Sequence, residues 1–167
     1  PAQSQQYRPD PRPGEQGTPN IHIVSHLPPV NAAGPFNVSD IEMEQELSRP
    51  YVYIDRPNEA GSSAPVIGYD IINIKNPAKP YVMYSWRIEN QELHQGPGSL
   101  APAYVKTHGR YYFFNGFQFR KGGPDVELGA IVWDVTGLPD TSKIKEIARL
   151  RVPEHLGGFH ETFAYKH

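Results

Sequence analysis

The chain has 167 residues, of which 38% are apolar and 20% charged, enough for one hydrophobic core. Gly and Pro number 15 and 18, about a fifth of the chain, well above average usage of about 12%, so many turns are expected. A net charge of −2 excludes a basic nucleic-acid footprint, no apolar run reaches the roughly 18–20 residues of a membrane span, and the lack of Cys excludes disulfides, thiolate zinc sites and thiol nucleophiles.

Residues 1–20 read PAQSQQYRPDPRPGEQGTPN. They have almost nothing to bury, so an extended Pro-rich arm is expected. The sequence opens at Pro1 rather than Met. Two readings stay open: a mature exported protein whose signal peptide has been removed, or a chosen chain end.

From Ile21 the pattern has a period of two. Ile21 and Ile23 lead into Leu27-Pro28-Pro29, a lone strand over residues 21–29. Ile41, Met43 and Leu47 share one parity, although the Glu-rich stretch around them also allows a helical turn. Tyr51 and Tyr53 alternate, as do Val82, Tyr84, Trp86 and Ile88. Ile144, Ala148, Leu150 and Val152 also share a parity, whereas Ile144, Ile147 and Leu150 have helical spacing. Aromatic and β-branched content favours pleated, half-buried surfaces.

An internal repeat resolves the ambiguity in favour of strands. At an offset of 61 residues, Arg49-Pro50-Tyr51-Val52-Tyr53 matches Arg110-Tyr111-Tyr112-Phe113-Phe114. Gly68-Tyr69-Asp70-Ile71-Ile72-Asn73-Ile74 matches Gly129-Ala130-Ile131-Val132-Trp133-Asp134-Val135 at the same offset. With one residue gained, Pro77 matches Pro139, and Val82, Tyr84, Trp86 and Ile88 match Ile144, Glu146, Ala148 and Leu150. A third copy begins where Phe163-Ala164-Tyr165-Lys166-His167 matches Tyr104-Val105-Lys106-Thr107-His108. Each unit reads as four strands, the pattern of a β-propeller blade. Polar insertions at residues 58–65 and 120–127 follow the second strand of each unit and lengthen it.

The segments Ile71-Ile72-Asn73-Ile74-Lys75-Asn76-Pro77-Ala78-Lys79-Pro80 and Val132-Trp133-Asp134-Val135-Thr136-Gly137-Leu138-Pro139 each place an apolar strand ending in Asn or Asp before a Pro-containing turn. In this the chain resembles the LVIVD-repeat family of secreted β-propellers, over roughly residues 40–167. The resemblance implies a periplasmic or secreted all-β protein, with export completed by loss of a signal peptide. The expected layout is an arm over 1–20 and a partial propeller over 21–167. Within it, 21–29 closes the ring, about 39–90 and about 91–153 are blades of four antiparallel strands, and 154–167 starts a third. Propellers use about four to eight blades. The remaining blades are therefore expected from the same or another chain, and the sequence reads as the N-terminal portion of a larger propeller.

Candidate chemistry centres on His155, His160 and Glu161, two imidazoles and a carboxylate within seven residues. In a propeller they would precede an innermost strand, near the mouth of the central channel, where bound metals draw ligands from several blades. The matched Ala101-Pro102 offers no ligand, and the ordinary reading is polar loop residues. His22 and His26 share one face of the presumed closing strand. Asp125, Glu127, Asp134 and Asp140 could hold Ca²⁺, but Asp134 matches the uncharged Asn73, which favours hydrogen bonding in a turn. Of the hairpin aromatics Tyr111, Tyr112, Phe113, Phe114, Phe117 and Phe119, half should face blade-to-blade packing and half the other side, where an exposed row could bind carbohydrate or a protein. No His-Glu-x-x-His, phosphate-loop or Gly-x-Ser-x-Gly pattern occurs.

The leading expectation is a non-enzymatic propeller serving as an interaction or scaffold module, with no cofactor. The alternatives are an oxidase-like enzyme using Ca²⁺ or a transition metal, and an assembly subunit whose N-terminal arm lies on a neighbour.

Overall fold

The computed structural model describes residues 20, 23–28, 38–58, 66–120 and 122–165. The fold is all-β. Strands β1 (Ile41–Met43), β2 (Tyr51–Arg56), β3 (Gly68–Asn73) and β4 (Tyr81–Arg87) form one antiparallel sheet in the order β1-β2-β3-β4. Strands β5 (Gly98–Thr107), β6 (Arg110–Gln118), β7 (Leu128–Asp134) and β8 (Lys145–Arg151) form a second, in the order β5-β6-β7-β8. The stretch that also fitted a helix is β8. The expected arm, apart from Asn20, lies outside the described residues, as do Ile21, His22 and Pro29 of the expected closing strand. Residues 23–28 take no regular secondary structure, and the Ser25 hydroxyl donates to the Pro77 carbonyl at 2.7 Å. Residues 161–165 likewise form no strand.

The turns follow from local chemistry. His108 and Gly109 join β5 to β6 with φ of 49° and 73°, the paired positive values that suit a two-residue hairpin and that glycine adopts without strain. At the end of β3 the Asn73 side chain accepts from the Lys75 amide at 2.9 Å. At the end of β7 the Asp134 side chain accepts from the Thr136 amide at 3.0 Å. The two units thus share one side-chain-to-backbone turn at matched positions.

They also share a register irregularity. Ile71 pairs with Tyr84 and Ile72 with Val82, which leaves Met83 extra on β4. Val132 pairs with Ala148 and Trp133 with Glu146, which leaves Ile147 extra on β8. These pairings correct the sequence match of the last strand. Val82 corresponds to Glu146 and Tyr84 to Ala148, an offset of 64 rather than 62. The physical reason is the connection before that strand. It grows by three residues, from 74–80 to 135–144, and includes a 3-10 turn at Thr141–Lys143 that Asp140 caps. A two-residue slip keeps every side chain on the same face, so the assignment of faces survives.

The sheets stack face to face through aromatic side chains. Tyr53 lies on Phe113 with ring centroids 4.4 Å apart. Tyr69 contacts Phe113 at 4.8 Å and Trp133 at 5.3 Å, and Trp86 meets Trp133 edge-on at 4.9 Å. Tyr53, Tyr69, Phe113, Phe117, Ile71 and Ile131 have no exposure. Each such side chain contributes about 1.5–3 kcal/mol by burial. Because alternate residues of a strand point to opposite faces, Tyr112 and Phe114 turn away from the first sheet, and both are half-buried. Tyr111, Phe113, Phe117 and Phe119 share one parity and Tyr112 and Phe114 the other, so the hairpin aromatics divide between two faces but not in equal halves.

The stacking is head to tail. Tyr53 faces the second sheet, yet its repeat partner Phe114 faces outward from that sheet. Tyr69 and Ile71 map in the same way onto Ala130 and Val132. The second sheet therefore presents outward the face that the first sheet buries.

Polar contacts bind the sheets at their rims. The Glu44 carboxylate takes two hydrogen bonds from the Arg49 guanidinium and one from the Tyr53 hydroxyl, the last at 2.5 Å. Arg49 also donates to the Val135 carbonyl at 2.9 Å and lies 3.7 Å from the Tyr111 ring centroid. At another edge Arg149 of β8 bonds Glu89 at 2.9 Å.

Candidate functional site: the cleft at the first strands of the two sheets

The strands β1 and β5 begin their sheets, and the chain returns beside them at residues 161–164. Together these segments wall a cleft of about 300 Å³. Two hydroxyl contacts fix the arrangement around β5. Ser39 Oγ donates to the Ser99 carbonyl at 2.9 Å, and Thr162 Oγ1 donates to the Ala101 carbonyl at 2.7 Å. Ala101 adopts a φ of 48°, a value few non-glycine residues take. A register shift between Leu100 and Ala103 goes with it, and a bulge of this kind re-aims an edge strand.

The cleft is acidic. Asp40, Glu42 and Glu161 line it, one or two from each side. Asp40 Oδ1 accepts from the Ile41 amide at 2.7 Å, and Glu42 Oε1 from the Met43 amide at 2.8 Å. Exposed apolar side chains flank the carboxylates, with Ile41 at 62% and Phe163 at 89% of full exposure.

Of the three residues singled out as ligands, Glu161 lines this cleft. His160 and His155 are exposed. His160 Nδ1 stands 3.9 Å from Glu161 Oε1, with both side chains largely in solvent. Among the described residues no three His, Asp or Glu side chains gather as a metal-binding group. The four acids weighed as a Ca²⁺ site are each engaged elsewhere. Asp125 and Glu127 accept from Arg151 at 2.5 and 2.7 Å, Asp140 caps its 3-10 turn, and Asp134 holds its turn and pairs with Arg110. Bonds from Thr136 and Arg110 hold the Asp134 carboxyl below the usual range against the opposing effect of burial.

Behind the cleft wall lies a polar group that sequence reasoning missed. The Asp55 amide donates to the Asp40 carbonyl at 3.1 Å, and its side chain enters the seam between the sheets with no exposure. Asn115 Nδ2 donates to Asp55 Oδ1 at 2.6 Å and to Ser99 Oγ at 2.7 Å. Asp55 Oδ2 and Asn115 Oδ1 are buried and without a hydrogen-bond partner among the described residues. Burial pushes the Asp55 carboxyl well above the usual carboxylate range. The signal was present in the alternation: Asp55 falls on the parity of Tyr51 and Tyr53, and Asn115 on that of Phe113 and Phe117.

No family model, curated protein or solved structure matches this chain.

Proposed function

We propose that the chain is an exported β-propeller interaction and scaffold module, of the LVIVD-repeat kind, in which the two sheets are consecutive blades. The observation that carries this reading is the head-to-tail stacking. Tyr112, Phe114, Ala148 and Leu150 keep partial or full exposure on the outward face of the second sheet, where their register partners Tyr51, Tyr53, Tyr84 and Trp86 lie on the face that packs against the second sheet. A surface repeated in this way is completed by another sheet of the same repeat. The Thr162 contact with Ala101 supports the same reading, because it brings residues 161–164 to the inner edge of the second sheet, where a third unit would start. The further blades come from the same polypeptide or from another one. Export rests on the family resemblance. Metal chemistry is not needed for this role.

Sedimentation velocity of the chain, alongside its thermal melt, tests the reading. The expected result is association well above 18.8 kDa. Phe114→Lys should weaken that association, because it places a charge on the repeated face. A compact monomer of 18.8 kDa that melts cooperatively would mean that the two sheets are self-contained, and the blade reading would be wrong.

A further inference from the structure

We propose that Asp55 is held as a neutral carboxylic acid in the seam between the two sheets, and that its ionisation loosens that seam. The geometry is that of a primary amide meeting a carboxyl group. Asn115 gives one N–H to Asp55 Oδ1 at 2.6 Å. The atoms left over are Asp55 Oδ2 and Asn115 Oδ1. A proton on Oδ2 turns a bare buried acceptor into a donor and removes the charge from the seam. An ionised carboxylate would bury a charge in the seam with Oδ2 still lacking a donor, and a buried polar group costs about 1–3 kcal/mol when unsatisfied and more when charged.

Among the described residues, no neighbouring element offers a compensating charge. Just before β1 stands Asp40, an acid whose field opposes ionisation. On β3 the residue paired with Asp55 is Tyr69. On β5 and β6 the contacts are Ser99 and Asn115, both uncharged. Arg56 follows Asp55 on β2 but turns to the opposite face, where it pairs with Asp70 at 2.7 Å. Burial is the largest influence on the Asp55 proton, and the bonds from Ser99 and Asn115 oppose it only in part.

The sign follows from linkage. The carboxyl binds its proton more tightly in the folded chain than in the unfolded one, where the value is about 3.9. Its stabilisation is complete below that value and is lost as pH rises toward and through the folded-state value. Over that interval the folding equilibrium weakens up to tenfold per pH unit relative to a chain lacking the group.

Carbon-13 NMR of the full chain with labelled aspartate carboxyls tests this, together with urea unfolding over a pH series for wild type and Asp55→Asn. The expected result is one aspartate carboxyl that titrates above all the others, assigned to Asp55 by its backbone connectivity and missing in Asp55→Asn. The variant, whose amide keeps an acceptor for Asn115, should lose the part of the pH dependence described above. Titration of the Asp55 carboxyl with the ordinary acids, or a cation bound to it, would overturn the proposal. The wild-type titration decides the matter even if the variant fails to fold.

Discussion

Arg49→Leu should be among the most destabilising single changes in this chain. The substitution keeps an apolar stem and removes the guanidinium from Glu44, from the Val135 carbonyl and from the face of Tyr111. The Glu44 side chain is fully buried and that of Arg49 is 9% exposed, so water cannot replace the lost partner. Breaking a buried pair by deleting one member costs about 3–5 kcal/mol, whereas replacing both by neutral groups costs far less. For a chain of this size that loss lowers the melting temperature by roughly 6–20 °C. Urea unfolding is the assay, read through Trp86 and Trp133, which touch across the seam. The Arg49→Leu/Glu44→Gln double variant should recover at least about 2 kcal/mol of the loss, since it removes the stranded charge. A single-variant cost below about 1 kcal/mol, with no recovery in the double, would place the pair with exposed ion pairs and refute the idea of a clasp between sheets.

The aromatic seam and the repeated turn give two further predictions. Phe113→Ala removes a fully buried ring stacked on Tyr53 and touching Tyr69; it should cost about 3–5 kcal/mol in the same urea assay, and a cost under about 1 kcal/mol would mean the sheets do not depend on this contact. Asn73→Ala and Asp134→Ala each delete the acceptor of a turn amide; both should destabilise by about 0.5–1.5 kcal/mol, with Asp134→Ala alone becoming salt-sensitive because Arg110 pairs with that carboxylate.

The strands were legible because their signal is local. Tyr51, Tyr53, Phe113 and Trp133 alternate as a pleated surface requires, and all are buried. The match of Asn73 to Asp134 indicated a turn rather than a metal ligand, since only one of the two carries charge. The offset of the last strand was not legible. Three residues enter the connection at 135–144, where Pro139 offers a false anchor against Pro77. The acidic cleft could not be read either, because it joins Asp40, Glu42 and Glu161 from segments far apart in the chain. Asp55 and Asn115 were visible as polar residues on an apolar parity, but their meeting depends on how one sheet sits on the other.

That meeting also bears on how the sheets recognise one another. A repeat whose faces were all alike could stack in the wrong order, because every outward face would accept every inward one. The aromatic content of this seam is partly generic in that sense: Tyr53 and Phe114 occupy matched positions, as do Tyr51 and Tyr112. The polar residues are not. At the 61-residue offset Asp55 maps onto Gly116, Asn115 onto Ile54, and Glu44 onto Val105. A sheet placed on Asp55 without an amide at the position of Asn115 strands a buried carboxyl, at about 1–3 kcal/mol. The outward face of the second sheet makes no such demand, for Gly116 puts no side chain there and Thr162 lies beside it. Burial of aromatic rings thus supplies most of the adhesion between the two sheets, and the Asp55–Asn115 contact, which the repeat does not copy, favours this pairing over another.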